Sequence, residues 1–168
     1  MAMQDMYEVD YIGKIKKELT RCIKKAGDEL YLFDRNLIYD SSYEDVHAHE
    51  RSICFRFGVY LNNQMSMNKA LKKYDLDVEY NKDIDTIKRL SGWPNGCYPD
   101  LIIHKRGTNT ANLLVMECKG WWSDERDILN DKKKIREFLN SERYRYLFGL
   151  LIVFEREEIR FDWIEKET

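Results

Sequence analysis

The chain has little proline or glycine, two and eight among 168 residues. That scarcity excludes a collagen-like repeat and argues against a disordered or low-complexity segment. Its four cysteines, Cys22, Cys54, Cys97 and Cys118, are widely separated and form no C-x-x-C pair. Neither a zinc framework nor a dense disulfide scaffold fits, and reduced thiols in a cytoplasmic protein are the expectation. No apolar run approaches the roughly 18 residues that a membrane span needs. The first residues, M-A-M-Q-D-M-Y-E, lack a basic region followed by an apolar one, so no signal peptide is expected. Charge of one sign is missing too: 28 Lys and Arg stand against 30 Asp and Glu, a formal net charge of −2. A general nucleic-acid coat protein is disfavoured, and any nucleic-acid contact has to come from a local basic patch. There is no internal repeat.

What is present is a 43% hydrophobic, 13% aromatic composition, enough for one packed interior, so residues 1–168 are read as a single domain. Tyr11, Ile15, Leu19 and Cys22 recur at helical spacing and predict a helix over 5–26, stopped by Gly27. Residues 30–39 are aromatic and aliphatic without a clean period. Ser41 and Ser42, with Glu44 and Asp45 behind them, read as a cap and acidic first turn of a helix over 42–62. Its apolar stripe is Val46, Ile53, Cys54, Phe57 and Leu61, and Glu50 falls within it. A carboxylate there is costly unless paired or bound to metal. His47 and His49, two apart, do not share a helical face. Alternation predicts a strand over 76–80. A short helix is expected over 83–90, and a loop over 91–96 carries Trp93.

Residues 98–120 hold the most informative pattern. Two apolar runs, 101–103 and 113–116, flank a Gly/Asn/Thr segment, as in a strand, turn and strand. With the turn centred between Thr108 and Asn109, positions summing to 217 face each other, and Asp100 stands opposite Glu117. Like charges so placed repel and need compensation. Lys119, two residues from Glu117 on the same face, is one compensator. A divalent cation is another: Mg²⁺ takes one or two carboxylates and keeps waters. The backbone carbonyl of Cys118 could add an oxygen, and Glu50 could hold a ligand water. Beyond the hairpin, a helix over 124–140 has Ile128, Ile135, Phe138 and Leu139 inside and Lys132, Lys133, Lys134 and Arg136 outside. Residues 144–154 read as a strand buried on both faces, parallel to 113–119 through a right-handed crossover. Residues 158–164 read as an edge strand.

Pro99-Asp100 followed by Glu117-Cys118-Lys119 resembles the signature of PD-(D/E)xK nucleases, the restriction-endonuclease-like superfamily. The resemblance covers about residues 42–154. It implies an α/β fold, a mixed sheet with an αβββαβ core flanked by helices. It also implies that Asp100 and Glu117 bind Mg²⁺ or Mn²⁺, that Lys119 is catalytic, and that Glu50 is an accessory acid. The implied activity is metal-dependent phosphodiester hydrolysis in nucleic acid, DNA foremost. Phosphate contacts are expected from Lys105, Arg106, Lys132, Lys133, Arg136 and Arg143. Trp121 and Trp122 could stack on a splayed base or be buried at the strand–helix junction. Cutting both strands with one site per chain takes two copies, which makes a homodimer a candidate. The competing readings are a catalytically inactive nuclease-fold module for nucleic-acid or protein binding, and a cysteine hydrolase built on Cys118.

Overall fold

The computed structural model describes residues 3–43 and 46–166, with side chains described from Asp10 onward in the first segment. Helix α1 spans Met3–Phe33. Its buried stripe, Ile15, Leu19, Cys22, Ile23, Ala26 and Leu30, continues past the stop expected at Gly27. Gly27 is instead a point of close approach: a β-carbon there would lie 2.6 Å from Ile159 Cδ1. The ambiguous stretch that follows is the end of α1 and a 3₁₀ turn, Arg35–Leu37.

Helix α2 spans Glu50–Met67, which corrects the expected start at Ser42. Residues 46–49 are not helical, and Ser41 and Ser42 lie in a turn. Glu44 and Asp45, half of the expected cap, fall outside the described residues. The N-cap is His49, whose ring accepts a hydrogen bond from the Arg51 N–H. Val46 is exposed and off the helix. Glu50 is therefore the first helical residue, where a carboxylate also meets the positive end of the helix dipole.

Strand β1 is Asp75–Val78. The helix expected over 83–90 is not formed. Strands β2 (Lys82–Asp83) and β3 (Thr86–Ile87) make a small hairpin there, with Ile84 in the left-handed region at φ 58°. Asp83 is drawn out of any helical path by Arg143 and Asn109. Strands β4 (Leu101–His104) and β5 (Leu114–Gly120) form the central antiparallel pair. Leu101 faces Met116, and Ile103 faces Leu114. The turn centre expected between Thr108 and Asn109 therefore holds.

Helix α3 (Glu125–Asn140) is capped by Asp124, which accepts from the Asp127 N–H at 2.8 Å. It carries the chain to β6 (Phe148–Phe154), parallel to β5, and β7 (Ile159–Ile164) closes that edge. Residues 144–147 are not strand, because Tyr144 is turned in to bond the backbone of Arg89.

The result is a mixed α/β fold: a five-stranded sheet, ordered β1-β4-β5-β6-β7, with helices on both faces. Alternation along β4 to β6 sorts side chains between two cores. Leu101, Met116, Cys118 and Ile152 join α1 and α2 on one face. Ile102, Val115, Leu151 and Val153 join α3 on the other. Glu117 and Lys119, being odd-numbered like Val115, belong to the α3 side.

Candidate active site

The site lies where β4 begins and β5 ends. Asp100 immediately precedes β4, one position beyond the Leu101–Met116 pair, so it reaches Glu117 in register. Its Oδ2 accepts the Cys118 N–H at 2.7 Å. That bond ties the acid to β5 rather than leaving it to solvent. Glu117 is 2% exposed. Lys119 follows on the same face, and its Nζ lies 3.2 Å from Glu50 Oε1. The other oxygen of Glu50 accepts the Gly120 N–H at 3.3 Å. All four residues singled out by pattern thus meet at one end of the sheet.

Helix α3 adds two more. Lys119 Nζ is 2.8 Å from Asp131 Oδ2. Lys134 Nζ lies 2.8 Å from Glu117 Oε1 and 2.9 Å from Oε2, and donates to the Tyr98 carbonyl at 2.7 Å. The expectation that Lys134 belongs to a basic outer side is corrected: it turns inward, 13% exposed. Asp131 and Lys134, three apart, share one helical face. Spacing held a signal for both. Asp131 is i+3 from Ile128 and i−4 from Ile135, inside the expected apolar stripe, as Glu50 was in its own.

Four carboxyls and two ammonium groups leave this cluster at a formal charge of −2 when all are ionised. Burial answers that excess by favouring protons. It pushes Glu117 well above the usual carboxylate range, and the neighbouring Asp100 adds to the effect. It raises Asp100 as well, against the Cys118 N–H, and Glu50, against the nearby Lys119. The lysines go the other way. Burial disfavours the Lys119 ammonium, but Asp131, Glu50 and Asp100 outweigh it and hold the group above the ordinary lysine value. Glu117 does the same for Lys134. Its carboxylate neighbours thus favour the ammonium form of Lys119.

Glu117 Oε1 and Asp131 Oδ2 are buried and accept no well-directed hydrogen bond, although an ammonium nitrogen is close to each. Buried, unsatisfied carboxylate oxygens are the donor chemistry that a hard cation completes. Among the described residues no three His, Cys, Asp or Glu side chains are grouped as a ready metal cage. The donors for Mg²⁺ or Mn²⁺ would be Asp100, Glu117 and main-chain oxygen such as the Cys118 carbonyl, completed by water or phosphate. That limited set fits Mg²⁺.

The expected nucleic-acid contacts divide. Lys105 and Arg106 follow the far end of β4, where Lys105 bonds the Lys73 carbonyl and Arg106 pairs with Asp77. Arg143 pairs with Asp83 at that same end. These three do not converge on the acids. Lys132, Lys133 and Arg136 lie on α3 beside the site; Lys132 pairs with Asp162 at 3.0 Å, and Lys133 is exposed. Trp121 donates to the Ile38 carbonyl and lies under Arg156, and Trp122 stacks on His47 with ring centroids 3.4 Å apart. Both indoles pack against the core, so neither stands as a bare platform.

Cys118 points into the opposite core, where its sulfur lies 3.5 Å from that of Cys54. Burial pushes its thiol well up, which removes the thiolate that a cysteine hydrolase needs.

No protein-family model matches the chain, and no curated protein matches it. Among solved structures, that of SSO0001 shares 16% identity over 89% of this chain and 67% of that one, with a TM-score of 0.36. A likeness so slight carries no argument. No helix among the described residues is long and apolar enough to cross a membrane.

Proposed function

We propose that this protein is a metal-dependent nuclease of the PD-(D/E)xK type, hydrolysing phosphodiester bonds in DNA with Mg²⁺ or Mn²⁺. The observation that carries the reading is the meeting of Asp100, Glu117, Lys119 and Glu50 at one end of β5. The order α2, β1, β4, β5, α3, β6 supports reading the sheet as a restriction-endonuclease-like αβββαβ core.

Asp100 and Glu117 would hold the cation, with the Cys118 N–H fixing the orientation of Asp100. When bound, the cation supplies Lewis acidity and a water of lowered pKa. Lys119, braced between Glu50 and Asp131, would present its ammonium to the phosphoryl oxygens as negative charge builds on them. Glu50 positions that lysine. On this reading Lys132, Lys133 and Arg136 would contact flanking phosphates. Two copies of the chain would be needed to cut both strands.

A catalytically inactive binding module is the second reading. It is favoured by the lysines, which already answer much of the acidic charge. The test is incubation of the purified chain with Mn²⁺ and plasmid, duplex, single-stranded and RNA substrates. Cleavage by the wild type that disappears in both Asp100→Asn and Lys119→Ala is expected. A folded wild type that cuts none of them, or variants that cut as well as it does, would sink the nuclease reading.

A further inference from the structure

Lys134 engages a carboxylate that a metal ion at this site would also use, that of Glu117. Its ammonium donates to Glu117 Oε2 at 2.9 Å and to the Tyr98 carbonyl at 2.7 Å, and lies 2.8 Å from Glu117 Oε1 without a well-directed hydrogen bond to it. A carboxylate edge and a carbonyl around one positive centre make an oxygen-lined cation seat. An ammonium and a dication cannot share that edge, because the two charges repel and each requires the same oxygen lone pairs.

We propose that Lys134 is the internal occupant of this seat. It neutralises the buried acid while metal is absent, and it has to release Glu117 before a divalent ion can bind there. The inference rests on reading Asp100 and Glu117 as the metal ligands. Tyr98 is an exposed residue, and the bond to its carbonyl is one the lysine would keep while leaving the carboxylate. Its four-carbon stem gives it the reach. Once displaced, the ammonium sits at the rim beside Lys133 on α3, where it is placed to take a substrate phosphate. Metal loading and substrate binding would then favour each other through one side chain, each increasing affinity for the other by the same factor.

The experiment is calorimetric titration of Mn²⁺ into the wild type, Lys134→Met, Lys134→Arg and Asp100→Asn, each checked by thermal unfolding. Lys134→Met, close in shape and without charge, is expected to bind Mn²⁺ at least about tenfold more tightly than the wild type. Lys134→Arg, which keeps the charge, is expected to bind no more tightly than the wild type, and Asp100→Asn to lose the site. If Lys134→Met gains nothing while Asp100→Asn still abolishes binding, the occupant proposal is overturned and the metal reading stands. An equal gain in Lys134→Arg overturns it too, since loosened packing rather than charge would then be responsible. If Mn²⁺ binding to the wild type ignores Asp100→Asn, the metal reading fails and takes this proposal with it. Should Lys134→Met not fold, Lys134→Gln takes its place, keeping a hydrogen-bond donor for Glu117 without the charge.

Discussion

At the turn end of the β4–β5 hairpin, Asp77 accepts hydrogen bonds from His104 and Arg106, each at 2.8 Å to one oxygen, and Asp83 is held by Asn109 and Arg143. At the opposite end, the cationic partners of Asp100, Glu117, Glu50 and Asp131 among the described residues are Lys119 and Lys134. Both ends bury acid, but the balance differs. Burial works to raise the Asp77 carboxyl, and Arg106 and His104 outweigh it, leaving it below its ordinary value. Burial prevails at Glu117, Asp100 and Glu50, all of which are raised. The first pattern belongs to a closed structural network. The second belongs to a site still short of positive charge, which is why the search for chemistry leads there.

The contrast breaks most visibly in activity. On the nuclease reading, Asp100→Asn or Lys119→Ala should lower Mn²⁺-dependent cleavage by about 1000-fold, measured per folded molecule. Asp77→Asn should leave it within about threefold, because that acid never meets the substrate. A comparable loss from Asp77→Asn would erase the distinction between the two ends.

Stability should respond in the reverse order. Asp83→Ala is expected to cost about 2 kcal/mol in a urea melt, since it strips Asn109 and Arg143 of a buried acceptor. Glu117→Gln is expected to be neutral or to stabilise the metal-free protein by about 1 kcal/mol, by removing a buried charge beside Asp100. A loss above about 2 kcal/mol in Glu117→Gln would mean that its pairing with Lys134 is structural.

The pH profiles should have opposite signs. Glu117, Asp100 and Glu50 bind their protons more tightly in the folded protein than in the unfolded chain. Their stabilising contribution is full below the unfolded values near 4 and is lost as pH rises through the raised folded values. Asp77 contributes above its unfolded value of 3.8 and loses that contribution as pH falls through its lowered one. Lys88, buried beside Tyr80, is lowered by burial to about 8. Between there and its unfolded value of 10.5, stability should rise with pH. Lys88→Met should flatten that rise, and Glu117→Gln should weaken the acid-side gain, both followed by thermal melts across pH.

The smallest effect expected is on DNA affinity. Lys105→Ala, at the far end, should change it by less than about twofold, whereas Lys133→Ala should weaken it and reduce its salt slope by about one.

Much of the hairpin could be read in advance. The permissive segment 107–112 between two apolar runs predicts a hairpin; its register follows only once the turn is centred between Thr108 and Asn109, the centre found here, and a one-residue slip would send Glu117 into the wrong core. Helix limits were less legible. Glycine commonly ends helices, which makes Gly27 read as a stop, yet the reason for it here is Ile159, more than a hundred residues away. Ser41 and Ser42 carry a cap signature that competes with the true cap at His49 and shifts the expected start of α2. Asp131 escapes the sequence reading and Lys134 is assigned by it to the outer side for one reason: charges on an amphipathic helix are usually solvated, and packing against β5 turns these two inward.

What the sequence determined by itself was local and periodic: the alternation that makes β4 and β5 a pair, the placing of Asp100 before one strand and of Glu117 and Lys119 along the next, and the apolar stripe of α3. What only the tertiary structure decided was the company these acids keep. Docking α2 and α3 at one end of the sheet brings Glu50 and Asp131 to Lys119 and Lys134 to Glu117, and buries Glu117. Burial then favours the protonated form of these carboxyls. Local sequence preferences act over a few residues, whereas the surroundings of Glu117 combine burial with charges carried by Asp100 and by α3, segments separate in the chain.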